Sequence, residues 1–246
     1  MANGIYIGMS GAIAAQRRLD VVANNVANAN TPGFRQQRAQ FETFLVQTND
    51  QRPIEKGFVA ATATHTDDSA GAIMQTGNPL DVAIDGKGWF AVRGADGQPL
   101  LTRAGNFHLG SDGTLLDTMG NAVLSGPGLN GGPIQLRSDG GQPSVGSDGS
   151  VSQDGTVVAT LSVVDVETSK LQPVGNTHFR LVSAATGVAD IRPLENATVA
   201  GGALESSNVN PVRGLVELVQ LTQDFQSSQK VMAEYRRLDQ KLLSSK

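Results

Sequence analysis

The chain has 246 residues, 29 of them glycine, with 17% charged and 4% aromatic side chains and a formal net charge of −4. That length suits one large all-β domain or two modest ones, and the composition is turn-rich rather than that of a dense α/β enzyme. The lack of cysteine excludes disulfides and thiolate metal sites, and mildly basic ends around an acidic middle argue against a nucleic-acid stripe there.

Met1 to Ala15 is mostly small and apolar. A secretory leader would carry Lys or Arg ahead of such a run, whereas here Arg17 and Arg18 follow it, and the stretch is too short to span a bilayer. The expectation is a chain that leaves the cytoplasm, if it does, without a cleaved leader and without membrane insertion. Ile5, Met9, Ala12, Gln16, Leu19, Ala23 and Val26 recur in steps of four and three, which places a narrow stripe on one face of a helix, as in a coiled-coil seam. Gly4, Gly8 and Gly11 each weaken that helix by about 1 kcal/mol relative to alanine, so it needs a partner.

Residues 24–34 read NNVANANTPGF. Asparagine is poor inside a helix because its amide competes for nearby backbone groups. Asn24, Asn25, Asn28 and Asn30 at a helix end therefore point to side chains committed to hydrogen bonds, before Thr31, Pro32 and Gly33 halt the helix. The assembly helix and its turn fill residues 1–34, and 35–74 reads as a connecting segment.

Residues 75–200 read as strands and tight turns. Leu80, Val82 and Ile84 alternate with Asp81, Ala83 and Asp85, the period of a half-buried strand. Asp-Gly occurs at Asp85, Asp96, Asp112, Asp139, Asp148 and Asp154, a signal for type I′ hairpins with positive φ at both central residues. Residues 109–115 (LGSDGTL) and 145–151 (VGSDGSV) look like two versions of one turn. Hairpins in series predict a central barrel or sandwich-like domain. Residues 201–210, with Gly201 and Gly202, read as a flexible return linker.

The last zone, 211–246, opens with Asn210 as helix cap and Pro211 at the first helical position. Leu218, Leu221, Phe225, Ser228, Met232, Tyr235 and Leu242 keep the three-four rhythm over a helix roughly 50 Å long. The predicted fold is thus mainly β with long terminal α-helices.

No catalytic constellation emerges. His65, His108 and His178 belong to no paired-ligand pattern. The Asp-Gly pairs lack the ligand spacing of calcium loops. Gly86-Lys87-Gly88 lacks a phosphate-loop context, and there is no G-x-S-x-G elbow. Asp81 and Asp85, four apart on a strand, share an outward face with solvent rather than forming a hydrolytic carboxylate pair. The expectation is no enzyme, no cofactor, no metal and no small-molecule substrate.

The Asn-rich run resembles the N-terminal signature of bacterial flagellar rod and hook proteins. Residues 75–84 (QTGNPLDVAI), 101–107 (LTRAGNF) followed by 113–116 (GTLL), and 204–210 (LESSNVN) are similar to further segments of that family, so the resemblance spans nearly the whole chain. Length and the short connection from Phe34 to residue 75 look most like its proximal-rod members. Distal-rod or hook-type proteins are the nearest alternative, and a periplasmic peptidoglycan hydrolase or a secreted adhesin are alternatives of other classes. Residues 211–215 depart from the family pattern, where acidic and bulky residues are more usual.

The resemblance implies a structural subunit of a torque-transmitting drive shaft for motility. It implies terminal helices that pair with each other in a coiled-coil-type core and with other rod proteins and copies of the chain. It further implies delivery by the flagellar type III export apparatus and a periplasmic place in the basal body. The residues expected to carry assembly are Ile5, Met9, Leu19, Asn24, Asn25, Val26, Asn28, Leu218, Leu221, Phe225, Met232 and Leu242. Leu19, Val26, Phe225 and Met232 are expected as buried seam residues, and Asn24, Asn25 and Asn28 as inter-subunit hydrogen-bond formers.

Overall fold

The computed structural model describes residues 2–47, 55–175, 177–182, 191–194 and 197–244. It forms two compact units, one of Met1–Ala27, Gln36–Asp67 and Val209–Lys246, the other of Asn28–Arg35 and Asp68–Asn208.

The first unit holds α1 (Ala2–Ala27), an antiparallel hairpin of β1 (Gln37–Gln47) and β2 (Glu55–Thr66), and α2 (Pro211–Ser244). The segment that reads from sequence as a connection is therefore largely hairpin, with a bulge between Gln40 and Phe41. The start of α2 follows its local chemistry. Asn210 Oδ1 accepts the Arg213 N–H at 3.1 Å, satisfying one of the free donors of the first turn ahead of Pro211.

The marginal helix α1 finds its partners inside the chain, in α2 and the hairpin. Because it faces both, its covered face is wider than a two-helix seam and is rotated from the predicted one. Ala12 and Val22 are buried and Ala15, Leu19, Ala23 and Val26 half-buried, whereas Met9 and Gln16 face solvent. Val26 packs over Gly214, where a methyl group would come within 2.6 Å of its side chain.

The second unit is built from short antiparallel strands. They are β3 (Ile73–Gln75), β4 (Val82–Asp85), β5 (Trp89–Arg93), β6 (Pro99–Thr102), β7 (His108–Leu109), β8 (Leu115–Leu116) and β9 (Ala122–Val123). There follow β10 (Ser144–Val145), β11 (Ser150–Gln153), β12 (Thr156–Thr160), β13 (Val163–Asp165), β14 (Leu171–Val174) and β15 (His178–Leu181). The last are β16 (Arg192–Pro193), β17 (Thr198–Gly201) and β18 (Ala203–Glu205).

Among the described residues the largest sheet runs β14-β15-β6-β5-β9-β8-β7, with β13 and β16 branching from β5. Its two ends do not pair, so the predicted barrel is not closed. The branch arises because β5 shares its length: Trp89 and Phe90 pair with β13, while Val92 and Arg93 pair with β9. Side-chain alternation along β5 then feeds two separate cores. Phe90 and Val92 join a cluster with Phe107, Leu115 and Val123, while Trp89 and Ala91 join Leu101, Val164 and Phe179. Both faces of the sheet are thus covered, as in a layered sandwich. Truncating a ring such as Phe90 to alanine in such a core costs about 3–5 kcal/mol.

The turns also differ from the prediction. Among the described residues the one non-glycine with positive φ is Asp154, at 54°, followed by Gly155 at 75°, so the β11–β12 turn alone has the type I′ signature. The turns at Asp96, Asp112 and Asp148 share a different plan. Each Asp accepts the backbone N–H two residues on, and only the following glycine (Gly97, Gly113 or Gly149) takes positive φ, at 76–81°. An Asp side chain that holds a type I turn supplies the same reversal without forcing the Asp itself into the left-handed region.

Asp81 corrects another expectation. It is buried rather than solvent-facing, accepting from Thr76 Oγ1 at 2.7 Å and Asn78 Nδ2 at 3.0 Å, while Asp85 alone is exposed. Ala83 beside it is also buried, so β4 is covered on both faces and not half-buried. Residues 201–210, expected as a linker, instead carry the end of β17, which pairs with β4, and β18, which pairs with β3.

Candidate assembly interface

In the first unit, Asn25 sits near the end of α1 and is 4% exposed. Its Nδ2 donates to the Gln37 carbonyl at 2.7 Å and its Oδ1 accepts the Gln37 N–H at 2.9 Å, the pattern of one more strand residue pairing with the start of β1. Both ends of this amide are committed within the chain. Asn25 therefore ties the end of α1 to the start of β1 within the chain. Asn28 is likewise buried, with Thr31 Oγ1 donating to its Oδ1 at 3.2 Å, whereas Asn24 is exposed.

The helices leave apolar side chains uncovered. On α2, Gly214, Leu218, Leu221, Phe225, Ser228 and Met232 form the covered or half-covered face. Val212, Leu215, Val216 and Val219 follow a helical repeat on the opposite side and are 71, 52, 55 and 54% exposed. Met9 and Ile13 of α1 are exposed as well. Of the residues expected to carry assembly, Leu221 is buried, and Leu19, Val26, Leu218, Phe225 and Met232 are half-buried. The side chains of Ile5 and Leu242 lie outside the described residues. Arg18 and Glu217 bridge α1 and α2 at 2.7 Å, an exposed pair worth at most about 1 kcal/mol.

In the second unit, the Thr-Pro-Gly-Phe-Arg turn is an anchor. Gly33 adopts φ 69° with a hypothetical Cβ only 2.2 Å from Ala104 N, and its N–H donates to the Glu205 carbonyl at 2.8 Å. Phe34 is fully buried beside it. Arg35 then reaches the Glu205 carboxylate at 2.8 Å and donates to the Ser69 carbonyl. Arg103 approaches the other carboxylate oxygen at 3.1 Å and donates to the Gly86 carbonyl at 2.8 Å. Glu205 also accepts the Gly71 N–H at 2.8 Å. One carboxylate thus ties four distant stretches of chain. The three side chains are 2, 5 and 2% exposed for Arg35, Arg103 and Glu205. Burial pushes Arg103 below its ordinary value, opposed by Glu205 and reinforced by Arg35.

Sequence reasoning missed Phe34, Arg35, Arg103 and Glu205. A partial signal was present: Arg103 and Glu205 are the charged residues of two segments that carry the family resemblance, and Arg35 directly follows a third.

His178 is buried, with Nε2 2.7 Å from Asp117 Oδ2 and Nδ1 3.2 Å from Thr177 Oγ1. Burial pushes the Asp117 carboxyl up, but hydrogen bonds from His178 and Asn121 outweigh it and hold the group below the usual carboxylate range. The trio has the elements of a relay, yet all three side chains are enclosed, and its chemistry is that of a satisfied polar core. His65 and His108 are exposed. Among the described residues no group of three His, Asp or Glu side chains could hold a metal ion, and no helix is long and apolar enough to cross a membrane.

The fold is a β region inserted in sequence between two terminal helices that pair with each other. Three family models match in chain order. Flagella basal body rod protein covers residues 5–35, Flagellar hook protein FlgE/F/G D1 domain covers 83–159, and Flagellar basal body rod FlgEFG protein C-terminal covers 200–245. Similar curated proteins include the flagellar basal-body rod protein FlgF of Mesorhizobium japonicum, 32% identical over 95% of this chain and 93% of that one. The flagellar basal-body rod protein FlgG of Bacillus subtilis is 33% identical over the whole of both chains. FlgF of Salmonella typhimurium is 31% identical over 94% of this chain and 93% of its own. The chain belongs to the flagellar basal-body rod protein family and is a structural rod component of the flagellum.

Proposed function

We propose that this chain is a proximal-rod subunit that joins copies of itself and other rod proteins through the uncovered faces of α1 and α2, forming part of the drive shaft for motility. The solvent-facing stripe of Val212, Leu215, Val216 and Val219 carries this reading, because four neighbouring apolar side chains on the outer side of a helix mark an interaction surface. Met9 and Ile13 extend the uncovered apolar surface onto α1. Contacts of this head-to-tail kind, which do not close on themselves, generate filaments.

The half-buried set of Leu19, Val26, Leu218, Phe225 and Met232, with Ile5, Leu221 and Leu242, would hold the two helices as one coiled-coil-type element within the rod. Asn24 lies on the exposed side of α1, where a neighbouring subunit would meet it, while Asn25 and Asn28 brace the helix end. The subunit would reach a periplasmic position through the flagellar type III export apparatus. Proximal placement is favoured by the short path from Phe34 to residue 75.

Val219→Glu places a charge on the stripe without touching either buried face. The expected result is a chain that folds normally, is absent from purified basal bodies and does not restore swimming to a strain lacking the gene. Normal swimming would overturn the helix-face reading. Gold labelling of wild-type chain in isolated basal bodies tests the position along the rod: label confined to the segment nearest the hook would replace the proximal assignment with a distal one.

A further inference from the structure

The second unit contains a cleft of about 400 Å³ whose wall includes the buried guanidinium of Arg103. Five basic side chains line it, Arg35, Lys87, Arg103, Lys170 and Arg192, against Asp68, Asp165 and Glu167. Asp68 already accepts the Thr168 hydroxyl. Deeper in, Arg35 and Arg103 share the single carboxylate of Glu205, so five basic groups meet four acidic ones and the excess of one positive charge lies at the base of the cleft.

Arg103 supplies the second observation. Two of its nitrogens are bonded, but its buried Nε–H has no acceptor among the described residues. A charged donor kept from water and left unbonded is costly, and native structures tolerate few such groups. Trp89 lies beside it, with the guanidinium carbon 5.7 Å from the ring centroid.

We infer that this cleft binds an oxyanion, a carboxylate or phosphate carried on a body larger than a bare ion, with Arg103 Nε–H and the outer Lys87 and Arg192 as donors. Guanidinium groups suit such ligands because their planar forks match carboxylate and phosphate oxygens. The volume lies in the range of small-molecule sites and exceeds what a single anion fills. The site uses neither helix.

Trp89 is the only tryptophan of the chain, so its fluorescence reports the cleft directly. Full-length protein is titrated with phosphate and with citrate against sodium chloride at matched ionic strength. The expected result is a saturable change with at least one of the two oxyanions, absent with chloride. Lys87→Gln and Arg192→Gln, both at exposed positions, should each weaken the binding roughly tenfold, as expected for losing one charge-assisted contact.

Sedimentation at saturating oxyanion separates the sources of the group. Loss of self-association identifies a carboxylate on a neighbouring copy, and unchanged association identifies a soluble ligand. No saturable signal with either oxyanion, an equal response to chloride, or binding undiminished in both variants overturns the inference.

Discussion

Replacing Glu205 by alanine removes the carboxylate that pairs with both Arg35 and Arg103. In the folded chain it leaves two guanidinium groups, 2 and 5% exposed, without the carboxylate that bonds them and with the more distant Asp68 as their nearby counter-charge. Removing one partner of a buried ion pair costs about 3–5 kcal/mol. The Gly71 N–H, which donates to the same carboxylate, is orphaned as well, adding about 1–3 kcal/mol. The low end of the two together, about 4 kcal/mol, is a large share of the roughly 5–15 kcal/mol that holds a typical domain folded.

The assay is urea unfolding of the full chain followed by Trp89 fluorescence, which reports the second unit from within its core. Glu205→Gln, which keeps acceptor and shape but loses charge, should fall between wild type and Glu205→Ala. Arg35→Met should cost less than Glu205→Ala, because Glu205 still pairs with Arg103. A loss below about 1 kcal/mol in Glu205→Ala, the scale of an exposed pair, would refute the account of this cluster as the tie between distant chain segments.

Gly33→Ala combines a φ of 69° with a Cβ 2.2 Å from the Ala104 backbone, and backbone strain of this kind alone costs about 1–3 kcal/mol. The thermal midpoint should drop by about 2–4 °C per kcal/mol lost, and a midpoint within error of wild type counts against the anchor role. Asn25→Leu leaves both Gln37 backbone groups without their partner, and hydrogen exchange of the Gln37 amide should accelerate; an unchanged rate would mean the bond contributes no protection. Asp117→Asn tests the buried polar core through pH. The folded carboxyl lies below its ordinary value, so its contribution is complete above the unfolded value of about 3.9 and is lost as pH falls through the folded one. The wild-type stability advantage over Asp117→Asn should therefore shrink only in acid, and a gap that is the same at low and neutral pH contradicts the assignment.

Local chemistry made a good part of this molecule legible from its sequence. The cap at Asn210 and Pro211, the halt at Thr31 to Gly33, and the two like turns at Asp112 and Asp148 depend on neighbours in the chain, and a sequence displays its neighbours. So does the family signature, which is carried by short contiguous motifs. The face that α1 buries was not readable in the same way, because the hairpin covers it from a second direction and turns Val22 inward while Met9 faces out. Nor was the branching of the sheet at β5, where one strand of alternating residues serves two cores. The meeting of Arg35, Arg103 and Glu205 spans most of the chain, and no spacing rule links residues so far apart. Side-chain type and short-range order were written in the sequence. Which distant charges share a buried site was decided only when the tertiary fold excluded water from them and made pairing the sole way to offset their desolvation.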